Sequence, residues 1–224
     1  DGATVLQGLI EAAGARVLTG VQVQEIVGDE MVRAVKLNSG EELPADLVVI
    51  SAGVRSNIKL AQTAGLTCNR GIVVNERMQT NDSAIYAVGD CAEYHGMVWG
   101  IIPVALAQAQ VASAQICGQT DRLYQEVTPS TTLKVSGIDL TSIGEVNPQG
   151  GEFIEKRQRN AKGSVYKKLV IREGRVVGAI LLGDRSDVRA VNTLISHGFD
   201  VTPHLDRLLS EGSSLAGIVK ALVP

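Results

Sequence analysis

A chain of 224 residues, 45% hydrophobic and 20% charged, can bury one large core or two small ones and has the balance of a soluble globular protein. Its net charge of −3 offers no handle for nucleic acid or an anionic membrane, and no apolar run is long enough to span a bilayer. Cys68, Cys91 and Cys117 are far apart, with no C-x-x-C and no paired histidines, which argues against a disulfide framework or a zinc site. They are expected to be buried thiols in reducing, cytoplasmic surroundings.

Val5, Leu6, Leu9, Ile10 and Ala13 recur at helical spacing and predict a helix over 4–13, closed by Gly14. A short strand over 16–18 follows, then three strand-like pieces. The first holds Val21, Val23 and Ile26 and ends at Gly28-Asp29; the second covers 32–37 and ends at Asn38-Ser39-Gly40; the third covers 41–43. Alternation in them predicts an antiparallel meander with one wet and one dry face. After Pro44, Leu47-Val48-Val49-Ile50 is uniformly apolar and β-rich, the pattern of a central parallel strand covered on both faces. It runs into Ser51-Ala52-Gly53, where Gly53 is either an ordinary turn glycine or a point of close approach to a ligand. A short helix over 57–64, closed by Gly65, and a short strand over 72–74 come next.

Ala84 to Val88 is an apolar run that reads as a buried strand, and it stops at Gly89-Asp90. Asp90 would then stand at the carboxyl end of a strand, the edge where open α/β sheets bind ligands. An ionised carboxylate accepts hydrogen bonds only, which suits a polyol hydroxyl; the plainer reading of Asp90 is a turn or helix-cap residue. Pro103 suits the first turn of an alanine-rich helix that runs to Cys117-Gly118. A polar stretch over 119–130 marks a boundary.

Beyond it, strands are predicted over 132–135, 140–143, 152–156, 165–171 and 175–182, with Glu173-Gly174 as a hairpin turn. Helices over 188–197 and 203–209 complete an α+β module. The basic run 156–159 is a solvated edge or loop, or a patch for an acidic electron carrier. His95, His197 and His204 read as surface or cap residues.

The string TNDSAIYAVGDC over 80–91, with a helix following, resembles the second flavin-binding motif of the FAD-dependent pyridine nucleotide-disulfide oxidoreductase superfamily. The fold class this implies is α/β: a partial FAD/NAD(P)-binding Rossmann-like region followed by an α+β C-terminal interface domain. Residues 1–58 would be the C-terminal part of an NAD(P)H-binding domain, 59–122 that of an FAD-binding domain, and 123–224 the interface or dimerisation domain.

The resemblance further implies that Asp90, on the turn made by Gly89, holds the ribityl chain of FAD. It places the backbone at Ile101, Ile102 and Val104 against the pyrimidine edge of the flavin, where a helix N-terminus offers N–H donors and partial positive charge to the reduced ring. It sets Gly53 close to the nicotinamide. Trp99 and Tyr94 either border the ring or fill the core of their own loop. Arg55-Ser56-Asn57 resembles the usual continuation of the family, with Ser56 where proline is commoner.

The 133–139 string, Leu-Lys-Val-Ser-Gly-Ile-Asp, looks most like NADH-dependent nitrite reductase large subunits and rubredoxin- or ferredoxin-reductase-like proteins. The sequence contains no G-x-G-x-x-G loop, no redox-active cysteine pair and no His-Pro acid/base element, and it opens at Asp1 without methionine. The expectation is therefore the C-terminal part of a longer flavoprotein, with FAD and NAD(P)H as cofactors. Its expected partners are small-molecule dinucleotides, an electron-carrier protein and further copies of itself. No catalytic acid or base and no metal is expected, because the flavin carries the chemistry. The competing reading is a non-catalytic assembly module.

Overall fold

Two compact units divide the polypeptide: one is Ile10–Val54, the other Asp1–Leu9 together with Arg55–Pro224. The computed structural model describes residues 1–135 and 137–223, so Ser136 of the 133–139 string and Pro224 lie outside the described residues. Helix α1 (Gly2–Ala12) runs from one unit into the other. Gly14, at φ +96°, ends it as predicted, its N–H bonding the Glu11 carbonyl at 3.0 Å.

In the 10–54 unit, β1 (Val23–Gly28), β2 (Val32–Leu37) and β3 (Glu42–Pro44) form the expected antiparallel meander in the order β1-β2-β3. The expected dry face is incomplete: β2 buries Ala34 and Leu37, whereas Val23 and Ile26 of β1 are exposed. Residues 16–18 form no strand; Arg16 instead reaches the Glu41 carboxylate at 3.4 Å. The predicted central strand at 47–50 is also absent, and Leu47, Val49 and Ile50 are 79%, 78% and 75% exposed. A parallel strand exists only by hydrogen bonding to neighbours. Among the described residues none pairs with this run, so its β-rich composition has nothing to act on.

The other unit holds two cores. In the first, the parallel pair β4 (Ile72–Val73) and β5 (Ala92–Glu93) and helix α3 (Ile102–Ile116) contribute to a cluster of Val74, Met78, Ala87, Ala92, Val104 and Val111, while the short α2 (Lys59–Thr63) precedes them in the chain. Glu93 is a buried carboxylate that braces this pair. Its Oε2 accepts the Gly71 N–H at 2.8 Å and its Oε1 the Asn69 amide at 3.0 Å. Those donors hold its pKa below the usual carboxylate range.

The second core is built on a five-stranded antiparallel sheet in the order β6-β7-β10-β9-β8. Its strands are β6 (Ser130–Val135), β7 (Ile138–Gly144), β8 (Ile154–Arg159), β9 (Tyr166–Arg172) and β10 (Arg175–Leu182). Glu173 and Gly174, at φ +50° and +73°, make the predicted two-residue hairpin between β9 and β10.

A bulge between Val176 and Gly178 lets Val176 and Ala179 both join Leu169, Ile171 and Leu181 in the core. The amphipathic α4 (Val188–His197) packs Ala190, Val191 and Leu194 there, joined by Leu215 and Ile218 of α5 (Leu215–Leu222). The predicted helix over 203–209 is only a 3₁₀ turn, Thr202–His204, that runs into irregular turns and a left-handed Leu209. Leu208 and Leu209 are buried in the same core, so tertiary packing overrides helical spacing here. The basic run 156–159 lies in β8, an edge strand, where charge discourages pairing with other chains.

Candidate functional site

The segment before Gly89-Asp90 is less regular than its sequence predicts. Residues 84–88 form no strand; Tyr86 makes a single bridge to Gln79, flanked by bonds from Thr80 N–H to the Ile85 carbonyl (3.0 Å) and from Ala87 N–H to the Met78 carbonyl (3.1 Å). Only the 78–80 segment is available to pair with it among the described residues. Thr80 is buried and serves its own turn, its hydroxyl donating to the Asp82 carbonyl at 3.0 Å.

The chain then turns through a short 3₁₀ segment, Gly89–Cys91. Gly89 sits at φ +75°, a left-handed conformation that disfavours a side chain, and a methyl placed there would lie 3.5 Å from Ala105 Cβ in the first turn of α3. The Gly89 N–H donates to Gln108 Oε1 at 2.7 Å, and the Asp90 carbonyl accepts from Ser56 Oγ at 2.6 Å. Asp90 itself is exposed, and its carboxylate has no hydrogen bond or ion pair among the described residues.

Helix α3 begins beside this turn. Its N-cap, Ile101, gives no side-chain hydrogen bond, and Pro103 brings no N–H to the first turn, so the helix end is uncapped. The three backbone positions singled out there differ. The Ile101 N–H is spent on the Trp99 carbonyl at 2.9 Å, Ile102 is 74% exposed, and Val104 is fully buried in the core. Gly53 stands in the other unit, exposed, at φ +80°, with open space where a methyl would go.

The aromatic residues resolve toward the loop's own core. Tyr94 stacks on His95 at 4.0 Å and meets Tyr124 edge-on at 5.2 Å, while Trp99 packs against the same apolar cluster. Burial pushes both tyrosine phenols up, so they stay neutral. His95 is exposed, with Nδ1 3.3 Å from Glu126 Oε1, and His197 stacks on Phe199. The thiols are not the buried ones expected: Cys117 is exposed and Cys68 and Cys91 are half-buried, all free. Among the described residues no cluster of His, Cys, Asp or Glu could hold a metal, and no helix is long and apolar enough to cross a membrane.

Sequence reasoning treated Gln108 as one more residue of the α3 helix and Ser56 only as a departure from a pattern. The signal for Gln108 was present: it is the polar member of the stripe Val104, Gln108, Val111, Ala112 that faces the core. Ser56 had none, because its partner lies 34 residues away.

Residues 3–115 match the family described as pyridine nucleotide-disulphide oxidoreductase. The chain belongs to that family. Its members use FAD and NAD(P)H. Residues 129–199 match the rubredoxin NAD+ reductase C-terminal domain, a range that contains the whole five-stranded sheet and α4.

Among similar proteins, the nitrite reductase [NAD(P)H] of Bacillus subtilis is 37% identical over 88% of this chain and 24% of its own length. The NADH-rubredoxin oxidoreductase of Clostridium acetobutylicum is 29% identical over 94% of this chain and 52% of its own. The covalent putidaredoxin reductase–putidaredoxin complex superposes with a TM-score of 0.83 at 28% identity, over 99% of this chain and 54% of that one. The chain thus spans no more than about half the length of these relatives.

The residues present fit part of a flavin site. A carboxylate without a partner among the described residues, on a tight turn, suits a polyol chain, and an uncapped helix N-terminus suits an electron-rich ring edge.

Proposed function

We propose that this chain forms part of an FAD-dependent NAD(P)H oxidoreductase that passes electrons to a protein carrier or a small acceptor. One observation carries the reading: the exposed Asp90 carboxylate, without a partner among the described residues, on a left-handed glycine turn that lies beside the first turn of α3. An ionised carboxylate in that position accepts ribityl hydroxyls, each such charge-assisted bond contributing about 1.5–3 kcal/mol. The uncapped N-terminus of α3 favours negative charge beside it, through roughly half a positive charge. Gly53, with its left-handed backbone and open surroundings, would border the nicotinamide.

Bound FAD supplies the redox chemistry, exchanging a hydride equivalent with NAD(P)H and electrons with the acceptor. The chain's own task is to bind and orient. No side chain need act as acid or base for that, because the flavin carries the redox chemistry. Residues beyond 123 would pair subunits or shape the face that the acceptor meets. The names of two relatives, nitrite reductase [NAD(P)H] and NADH-rubredoxin oxidoreductase, support NAD(P)H as donor.

The test is spectroscopic. The purified full-length gene product should carry the visible flavin band, and anaerobic NADH or NADPH should bleach it. A colourless protein that takes up no FAD would overturn the proposal.

A further inference from the structure

We infer that the Asp90 turn is clamped from two sides, by Gln108 and by Ser56, and that both are positioning residues for the carboxylate; this rests on the flavin reading of Asp90.

Gln108 is 1% exposed, on a helix face where it lies among Val104, Val111 and Ala112. A buried amide is tolerated there only if it is bonded. Its Oε1 takes the Gly89 N–H at 2.7 Å, and the same side chain interacts with the phenol of Tyr124, on the segment that leads from α3 to β6. Gly89 leaves the extended backbone at Val88 for a left-handed turn, where a strand partner for its N–H is lost. Gln108 supplies the acceptor instead.

From the other side, the Ser56 hydroxyl donates to the Asp90 carbonyl at 2.6 Å. The two bonds therefore fix an N–H one residue before Asp90 and the carbonyl of Asp90 itself. The first holds the peptide that enters Gly89 and the second the peptide that leaves Asp90, so together they anchor both ends of the two-residue turn and restrict the direction in which the Asp90 side chain leaves the backbone. Neither bond uses the carboxylate, which stays free for a ligand. A proline at position 56 has no hydroxyl to donate, so the Ser56 half of the clamp is a property of this sequence.

The experiment compares FAD dissociation constants of the full-length gene product for wild type, Asp90→Ala, Ser56→Val and Ser56→Thr, with thermal melts of the flavin-free forms alongside. Ser56→Val and Ser56→Thr have the same shape and differ in the hydroxyl. The clamp predicts that Ser56→Val weakens FAD binding by about 3- to 10-fold, the equivalent of one hydrogen bond, whereas Ser56→Thr stays within about twofold of wild type. The Gly89 amide should also exchange slowly with solvent in the flavin-free wild type, a readout of the Gln108 bond that needs no cofactor. If Asp90→Ala weakens binding while Ser56→Val matches wild type, the clamp is overturned and the flavin reading stands. If Asp90→Ala leaves the affinity unchanged, the flavin reading itself falls.

Discussion

Lys167 is the group on which a quantitative test of stability can be built. Its side chain, 8% exposed, ends between two carboxylates at the start of α4, with Nζ 2.6 Å from Asp184 Oδ2 and 2.6 Å from Asp187 Oδ2. Burial alone would drive the ammonium toward its neutral form, yet these bonds outweigh it and leave the Lys167 pKa raised.

The same contact, with the Ser186 N–H and hydroxyl, lowers Asp184 from 3.8 to about 2. At about 1.4 kcal/mol per pKa unit, that gap would contribute about 2.5 kcal/mol without solvent screening. The Asp184 side chain is 38% exposed, and solvent screening reduces the contribution to about 1 kcal/mol.

Because the folded pKa is depressed, this stability is present above pH 3.8 and is lost as pH falls toward 2. Lys167 has the opposite sign: its contribution is full below the unfolded lysine value and is lost only when pH rises through the raised folded value. Urea unfolding at neutral pH and at the acid edge of this window should therefore show a larger loss in wild type than in Asp184→Asn, by about 1 kcal/mol. Equal losses in the two proteins would refute the assignment of the acid-labile energy to this pair.

Two further substitutions probe the scaffold. Gly174→Ala would put a methyl 2.5 Å from Thr202 Oγ1 and 2.6 Å from Asp200 Oδ1 at φ +73°, and should cost about 1–2 kcal/mol or more in denaturant unfolding; a neutral result would mean that the hairpin is not held as described. Glu93→Ala leaves the Gly71 N–H and the Asn69 amide without their acceptor, and thermal unfolding should register a loss of about 1–3 kcal/mol, with an unchanged melt counting against a bracing role.

What could be read in the sequence was whatever depends on neighbours along the chain. The stripe in α4, the Glu173-Gly174 hairpin and the proline-started, glycine-stopped α3 all form where spacing and turn chemistry place them. The run 47–50 failed for the opposite reason: a strand is a relation between segments, and apolar composition cannot supply the partner.

Helix α5 was within reach, since Ser214 precedes Leu215, Ile218, Val219 and Leu222 at helical spacing, and its Oγ caps the Gly217 N–H at 3.2 Å. At the candidate site, the Gly89-Asp90 turn was legible as a string. The bonds that hold it come from residues 19 and 34 positions away, distances at which no local pattern survives.

The most direct measurement is the FAD affinity of the full-length gene product with and without the Asp90 carboxylate. Loss of the charge-assisted contact in Asp90→Ala should weaken binding by about 10- to 100-fold, with the flavin-free protein melting as wild type does. An unchanged dissociation constant would contradict the account at its root.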